Sequence, residues 1–203
     1  MHSGTRRKPS GAAVLRPELT EAIVEIALGE LAEKGYGRMS MEAVARRAGV
    51  GKSALYRRWP SKQALAVDAV ARISVPLAET PDTGSLRGDV RAMLEALLSW
   101  LDDPRLGGVL TDLMAEARRN GALARALAER VGEPRRARGE ALLDRAAARG
   151  EVPAGLDREI VLDLIPGALF WHLGARRQPV TADYLDRLTD TLVTALTAGR
   201  TGV

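Results

Sequence analysis

Between Ser40 and Lys62 the chain reads SMEAVARRAGVGKSALYRRWPSK, and the residues there with chemistry to perform are Ser53, Ala54, Tyr56, Arg57, Arg58 and Lys62. That chemistry is binding rather than bond-breaking. On a helical wheel of about 100° per residue, Leu55 and Trp59 fall together, and Ser53, Ala54 and Arg57 fall opposite them. Small side chains let a helix backbone approach the floor of a DNA major groove, and Arg57 offers paired N–H donors to base edges. Tyr56 and Arg58 lie on the two flanks, placed to reach phosphates on either side. Lys62 starts a further helix, where a cation opposes the dipole, so the placement predicts a phosphate docked at that helix start. The competing reading is a small helical core with a solvated charged face.

Gly51-Lys52-Ser53 also matches the end of a phosphate-binding P-loop. That pattern needs glycine where this chain has Arg46, and a strand where a helix precedes. A nucleotide site is therefore not expected.

The elements that position these residues are written locally. Met41, Val44, Ala45 and Ala48 make one apolar helix face. Ser40 can cap that helix, Glu42 suits its first turn, and Gly49 accepts the left-handed backbone of a sharp reversal. A second helix follows over 52–59 and stops before Pro60, which disfavours helix at the preceding residue. Ser61 can cap the next helix, over 61–73. Helix, tight turn and helix in this order form a helix-turn-helix, whose second helix enters the groove. A longer helix over 17–34, opened by Pro17 and ended by Gly35, braces the unit with Ile23, Ile26, Ala27 and Leu31.

The run MEAVARRAGVGKSALYRRWPSKQAL, behind Glu33-Lys34-Gly35-Tyr36, resembles the TetR family of bacterial one-component regulators. The resemblance covers residues 17–73; the rest is similar to that family's helical body in length and pattern. It implies a homodimer bound to a palindromic double-stranded DNA operator and released by a small ligand, with activation, or regulation without a ligand, as alternatives. It places DNA contacts on Ser40, Lys52, Ser53, Ala54, Tyr56, Arg57, Arg58 and Lys62. It also implies that the helix over 61–73 passes ligand binding to the DNA-binding head.

Composition supports this assignment. Residues 1–62 hold 12 Lys+Arg against 6 Asp+Glu, and residues 63–203 hold 18 against 20. A basic end on a mildly acidic body fits DNA binding at one end of the molecule. The chain has no cysteine, one internal histidine, no G-x-S-x-G motif and no metal-ligand cluster. An enzyme, a metal and a cofactor are therefore not expected. No apolar leader or membrane-length run is present, so a cytoplasmic protein, on the nucleoid when DNA-bound, is expected.

The expected architecture is all-α. A disordered basic arm (1–16, with Arg6, Arg7 and Lys8) precedes a three-helix DNA-binding domain (17–62) and a helical ligand-binding and dimerisation domain (63–203), with about nine helices in all. Periodicity predicts body helices over 85–101, 105–119, 122–150, 160–175 and 181–196, with Pro134 either kinking the third or starting another. A pocket for a small apolar or amphipathic effector draws its candidates from Met93, Leu97, Trp100, Met114, Phe170 and Trp171. His172 reads as a core histidine. Residues 160–175 are apolar on nearly every side, which predicts burial all round. With Leu185, Leu188, Leu192 and Leu196 of the next helix they are expected to form a four-helix dimer interface.

Overall fold

Ser40 accepts a hydrogen bond from Ala43 N at 3.3 Å and starts α2 (Met41–Arg47) in the computed structural model, which describes residues 17–79 and 81–198. The basic arm of residues 1–16 lies outside the described residues. Gly49 turns the chain at φ 65°, and α3 (Lys52–Arg58) follows. Met41, Val44 and Leu55 are buried, so both helices close on one small core. The element before them, α1 (Pro17–Arg38), lays Ile23, Val24, Ala27, Leu28 and Leu31 over that core.

Near its end α1 kinks at Gly35, whose φ of 74° and ψ of 165° are open only to glycine. The kink turns the Tyr36 N–H onto Asp112 Oδ2 at 2.5 Å. It also adds a last turn beyond the stop expected at residue 34. Glu30, fully buried, pairs with Lys34 one turn on at 2.6 Å and joins α1 to α2 through Arg47 at 3.2 Å.

Ser61 caps α4 (Lys62–Ser74), accepting from Ala64 N at 3.0 Å. Sequence periodicity gives this helix only a partial apolar stripe. Instead Leu65, Ala66, Val67, Ala69, Val70, Ala71 and Ser74 are all buried, because α4 is packed between α1 and the elements after residue 120. A short 3-10 turn, Pro76–Ala78, leads towards the body.

The body is α5 (Leu86–Leu101), α6 (Leu106–Ala117), α7 (Gly121–Leu127), α8 (Glu133–Ala148), α9 (Arg158–Phe170) and α10 (Ala182–Thr197). The described residues thus form ten α-helices and no strand. Pro134 starts α8 rather than kinking one long helix, and a π-helical turn, Ala128–Gly132, joins it to α7. The head and body share one continuous core, and α1 packs on α6 as well as on α4.

One expectation about the last helices is corrected. Leu185, Leu192 and Leu196 are buried in the protomer's own core, where α10 packs on α5, and Leu188 is half-buried against it. They are not a free face for a second subunit. Helical spacing marks an apolar stripe but not what covers it, and here α5 covers it, with Arg87–Asp190 and Arg91–Asp186 ion pairs along the edge. Within the protomer, residues 160–175 bury one face and leave the other open. Val161, Leu162, Ile165, Leu169 and His172 point inward, whereas Ile160, Leu164 and Trp171 are 56%, 50% and 65% exposed. His172 is a core histidine, stacked on Tyr184 with its Nε2 3.3 Å from the Pro179 carbonyl.

Candidate nucleic-acid interface

Burial of Leu55 and Trp59 fixes the rotation of α3, and the rest of the helix follows from it. Lys52, Ser53, Arg57 and Arg58 are exposed, and Ala54 and Tyr56 are half-exposed. The basic strip is therefore on the surface, with the small residues Ser53 and Ala54 in its middle. Arg57 has no ion-pair partner among the described residues, which leaves its guanidinium donors free. Arg58 lies over the Trp59 ring at 5.4 Å.

The two lysines are held differently. Lys52 Nζ meets Glu42 Oε1 at 2.6 Å, an exposed pair that keeps the Glu42 carboxyl below its usual range. Lys62 does not extend towards solvent as the sequence suggests. Its ammonium donates to the carbonyls of Tyr36 at 2.8 Å and Gly37 at 3.1 Å, and lies over the Tyr36 ring at 4.5 Å. A cation at the C-terminus of α1 suits that helix's dipole. This gives Lys62 a structural partner where a phosphate is expected from sequence. Ser40 is half-buried and occupied as the α2 cap, its hydroxyl donating to Glu42 Oε2 at 3.3 Å.

One connecting residue escapes the sequence reading. Asp68 of α4, its side chain only 13% exposed, accepts from Trp59 Nε1 at 3.0 Å, Arg72 Nε at 2.9 Å and Arg130 Nη2 at 2.9 Å. Burial works against its charge, but the Arg72 and Trp59 donors and the Arg130 charge hold the carboxyl below its ordinary range. Trp59 closes α3, Asp68 belongs to α4 and Arg130 to the π-helical turn, so one carboxylate joins α3, α4 and the body. The signal was an acid on a nearly all-apolar helix, one turn before an arginine. A groove of about 720 Å³ opens beside it, lined by Arg57, Arg58, Gln63, Val67, Ala126 and Arg130 among others.

The effector candidates separate. Met93, Leu97 and Trp100 stand at i, i+4 and i+7 on α5, with Leu97 and Trp100 buried. Met93 approaches Gly139 and Trp100 approaches Arg135, so this stripe faces α8. Phe170 lines a separate cleft of about 610 Å³ with Leu101, Thr111, Leu173 and Arg177. Met114 is 47% exposed, because α6 turns Leu106, Val109 and Leu113 inward instead. Met114 and Trp171 therefore share no interior pocket with Trp100.

Two family descriptions match the chain: bacterial regulatory proteins of the tetR family over residues 23–69, and the tetracyclin repressor-like C-terminal domain over residues 80–192. The chain is 30% identical over 165 residues to the HTH-type transcriptional regulator YdeS of Bacillus subtilis (strain 168), covering 81% of this chain and 83% of that one. It is 29% identical over 176 residues to the DNA-binding transcriptional repressor TetR of Mycobacteroides abscessus, covering 86% and 92%. The crystal structure of the TetR family transcription regulator SCO0332 superposes with a TM-score of 0.70 at 30% identity, over 87% of this chain and 97% of that one. An exposed basic strip on α3, a fully helical body and these likenesses along both segments agree: the chain belongs to the TetR family of helix-turn-helix, DNA-binding transcriptional regulators.

Proposed function

We propose that this protein is a transcriptional repressor that binds a palindromic operator as a homodimer and leaves it when a small apolar or amphipathic effector binds. The observation that carries the reading is the rotation of α3, with Leu55 and Trp59 inward and Lys52, Ser53, Ala54, Arg57 and Arg58 outward. Arg57, free of ion pairs among the described residues, reads base edges. Arg58, Lys52 and Tyr56 contact phosphates and set the register of the helix on the duplex. The repressor sense follows the Mycobacteroides abscessus relative, which is named a repressor.

The second copy covers α9. Ile160, Leu164, Gly167 and Trp171 recur at helical spacing and are exposed, an apolar stripe that a soluble surface rarely leaves open. A two-fold axis there pairs the stripe with itself.

The test is a gel shift on DNA upstream of the protein's own gene, or on sites taken from random-sequence selection, with salt varied. Tight, salt-sensitive binding that Arg57→Ala abolishes supports the reading. Failure on selected sequences as well as upstream DNA overturns it. Screening apolar and amphipathic compounds for release of that complex tests the effector half.

A further inference from the structure

Most arginines after residue 62 are committed to carboxylates, as in the Arg87–Asp190, Arg136–Asp163 and Arg158–Asp144 pairs. Arg135 instead donates to the Ser74 carbonyl. Among the described residues, only the side chains of Arg118, Arg125, Arg176 and Arg177 are left there with neither an ion pair nor a hydrogen bond. Two of these, Arg118 and Arg125, flank the turn between α6 and α7, and both are exposed. A guanidinium without an acid beside it keeps its charge and its fork of donors for a partner from outside, and phosphate matches that fork.

The turn that carries them is seated at the start of α4. Before it, Asp112 of α6 accepts from Tyr36 N. Burial, and then the charge of Glu116 one turn on, raise the pKa of the Tyr36 phenol, so α6 runs alongside the end of α1. Within the turn, Asn120 caps α7, accepting from Leu123 N at 3.1 Å. After it, Gln63 Nε2 donates to the Ala122 carbonyl at 3.2 Å. The Arg125 guanidinium folds back to Gly121, where an added Cβ would stand 3.9 Å from its Nη1. That holds the cation at the turn instead of farther along α7. One residue on, Ala126 forms a wall of the groove that Ala54, Arg57 and Arg58 line from the α3 side. This groove carries Arg57, Arg58, Arg72 and Arg130 against Asp68 and Glu129, so cations placed beside it extend one positive surface.

We propose that the α6–α7 turn is a second DNA-contacting surface, on which Arg118 and Arg125 bind phosphates of the same operator that α3 reads. This rests on the operator-binding reading above and adds the body to the interface. The occupant is the duplex backbone, because the turn adjoins the basic strip of α3 and continues its sign. Contacts to phosphate add affinity and fix orientation without adding base preference. Tyr36 and Gln63 hold the turn, so the spacing between its arginines and α3 is set by packing, not by a loose arm.

The experiment measures binding of the full chain to an operator taken from random-sequence selection, by fluorescence anisotropy over a range of salt concentrations. Arg118→Gln and Arg125→Gln are each expected to flatten the salt slope by about one unit and to keep the ranking of operator variants. Their melting temperatures should match the wild type, since both side chains are exposed and unpaired. Arg118→Lys and Arg125→Lys are expected to restore the slope, because a phosphate contact needs the charge. Arg187→Gln removes a cation from α10 and is the charge control, expected to keep the wild-type slope. Wild-type slopes in Arg118→Gln and Arg125→Gln, or equal flattening by Arg187→Gln, overturn the second surface and leave the operator reading standing. A flattened slope that lysine does not restore overturns the phosphate contact. A changed ranking of operator variants places the arginines on bases and overturns the backbone assignment. Wild-type protein that binds no selected sequence overturns both readings together.

Discussion

Replacing Asp68 by alanine removes the acceptor of three donors at once, and the structure ranks their worth. Arg72 and Arg130 are 42% and 59% exposed, so water takes over when the carboxylate goes, and each pair is worth under about 1 kcal/mol. Trp59 is 3% exposed, so its indole N–H cannot turn to water, and leaving it unpaired costs about 1–3 kcal/mol. The expected loss for Asp68→Ala is then about 2 kcal/mol, or about 4–8 °C in melting temperature for a chain of this size. Asp68→Asn keeps an acceptor for Trp59 and loses only the charge, so it should cost about half as much or less. Measurements at one protein concentration, by tryptophan fluorescence in urea, keep dimerisation from entering the comparison. The sign of the pH dependence follows from the lowered pKa of Asp68. Its contribution is complete above the unfolded carboxyl pKa of about 3.9 and is lost as pH falls through the lower folded value. Asp68→Ala should therefore lack that part of the acid-limb decline. Equal stabilities for the alanine and asparagine variants would refute the reasoning, since they would show that the buried indole N–H does not depend on Asp68.

Arg57→Ala should lose discrimination at one base pair per half-site by about 1–3 kcal/mol, read by binding to operator variants; a uniform loss over all sequences would place Arg57 on the backbone instead. Lys62→Met should lower thermal stability by about 1 kcal/mol through the lost α1 cap while leaving the salt slope of DNA binding unchanged; a slope shallower by about one unit would mean that the lysine moves to a phosphate on the operator. Leu164→Glu should split the dimer in analytical ultracentrifugation, whereas Leu188→Glu should act first on protomer stability. A dimeric, stable Leu164→Glu would move the interface off α9. Gly35→Ala should cost about 1–3 kcal/mol, because its backbone is in a glycine-only region and an added Cβ would stand 3.2 Å from Asp112 Oδ2. An unchanged urea midpoint would mean that the kink relaxes freely.

The helix-turn-helix was legible because its information is local. Ser40, Gly49 and Pro60 set boundaries within a few residues of themselves, and the rotation of α3 follows from Leu55 and Trp59 alone. The body helices were legible for the same reason, to within a few residues at each end. What they face was not. The leucines of α10 and the exposed stripe of α9 carry similar spacing, and only the packing of α10 on α5 separates them. Lys62 looked solvent-bound because its partners, the carbonyls of Tyr36 and Gly37, lie about 25 residues earlier. Asp68 with Arg130, and Arg135 with Ser74, are joined across about 60 residues, and no periodicity encodes such pairs.

The position of α1 has a consequence for modular exchange. This helix bears on the recognition unit with one part of its surface and on α4 and α6 with the rest, and Gly35–Tyr36 is seated against Asp112. A cut after residue 62 divides the specificity-bearing segment from everything else along the sequence, yet it runs through the middle of a shared core. A foreign head grafted at that point brings its own α1 surface to an α6 that was shaped for another. On the proposed reading of α3, operator preference is therefore expected to transplant more readily by exchanging its outward residues than by exchanging the whole N-terminal segment. Lineages that change their DNA target while keeping their body are expected to do so by substitution on that one short helix.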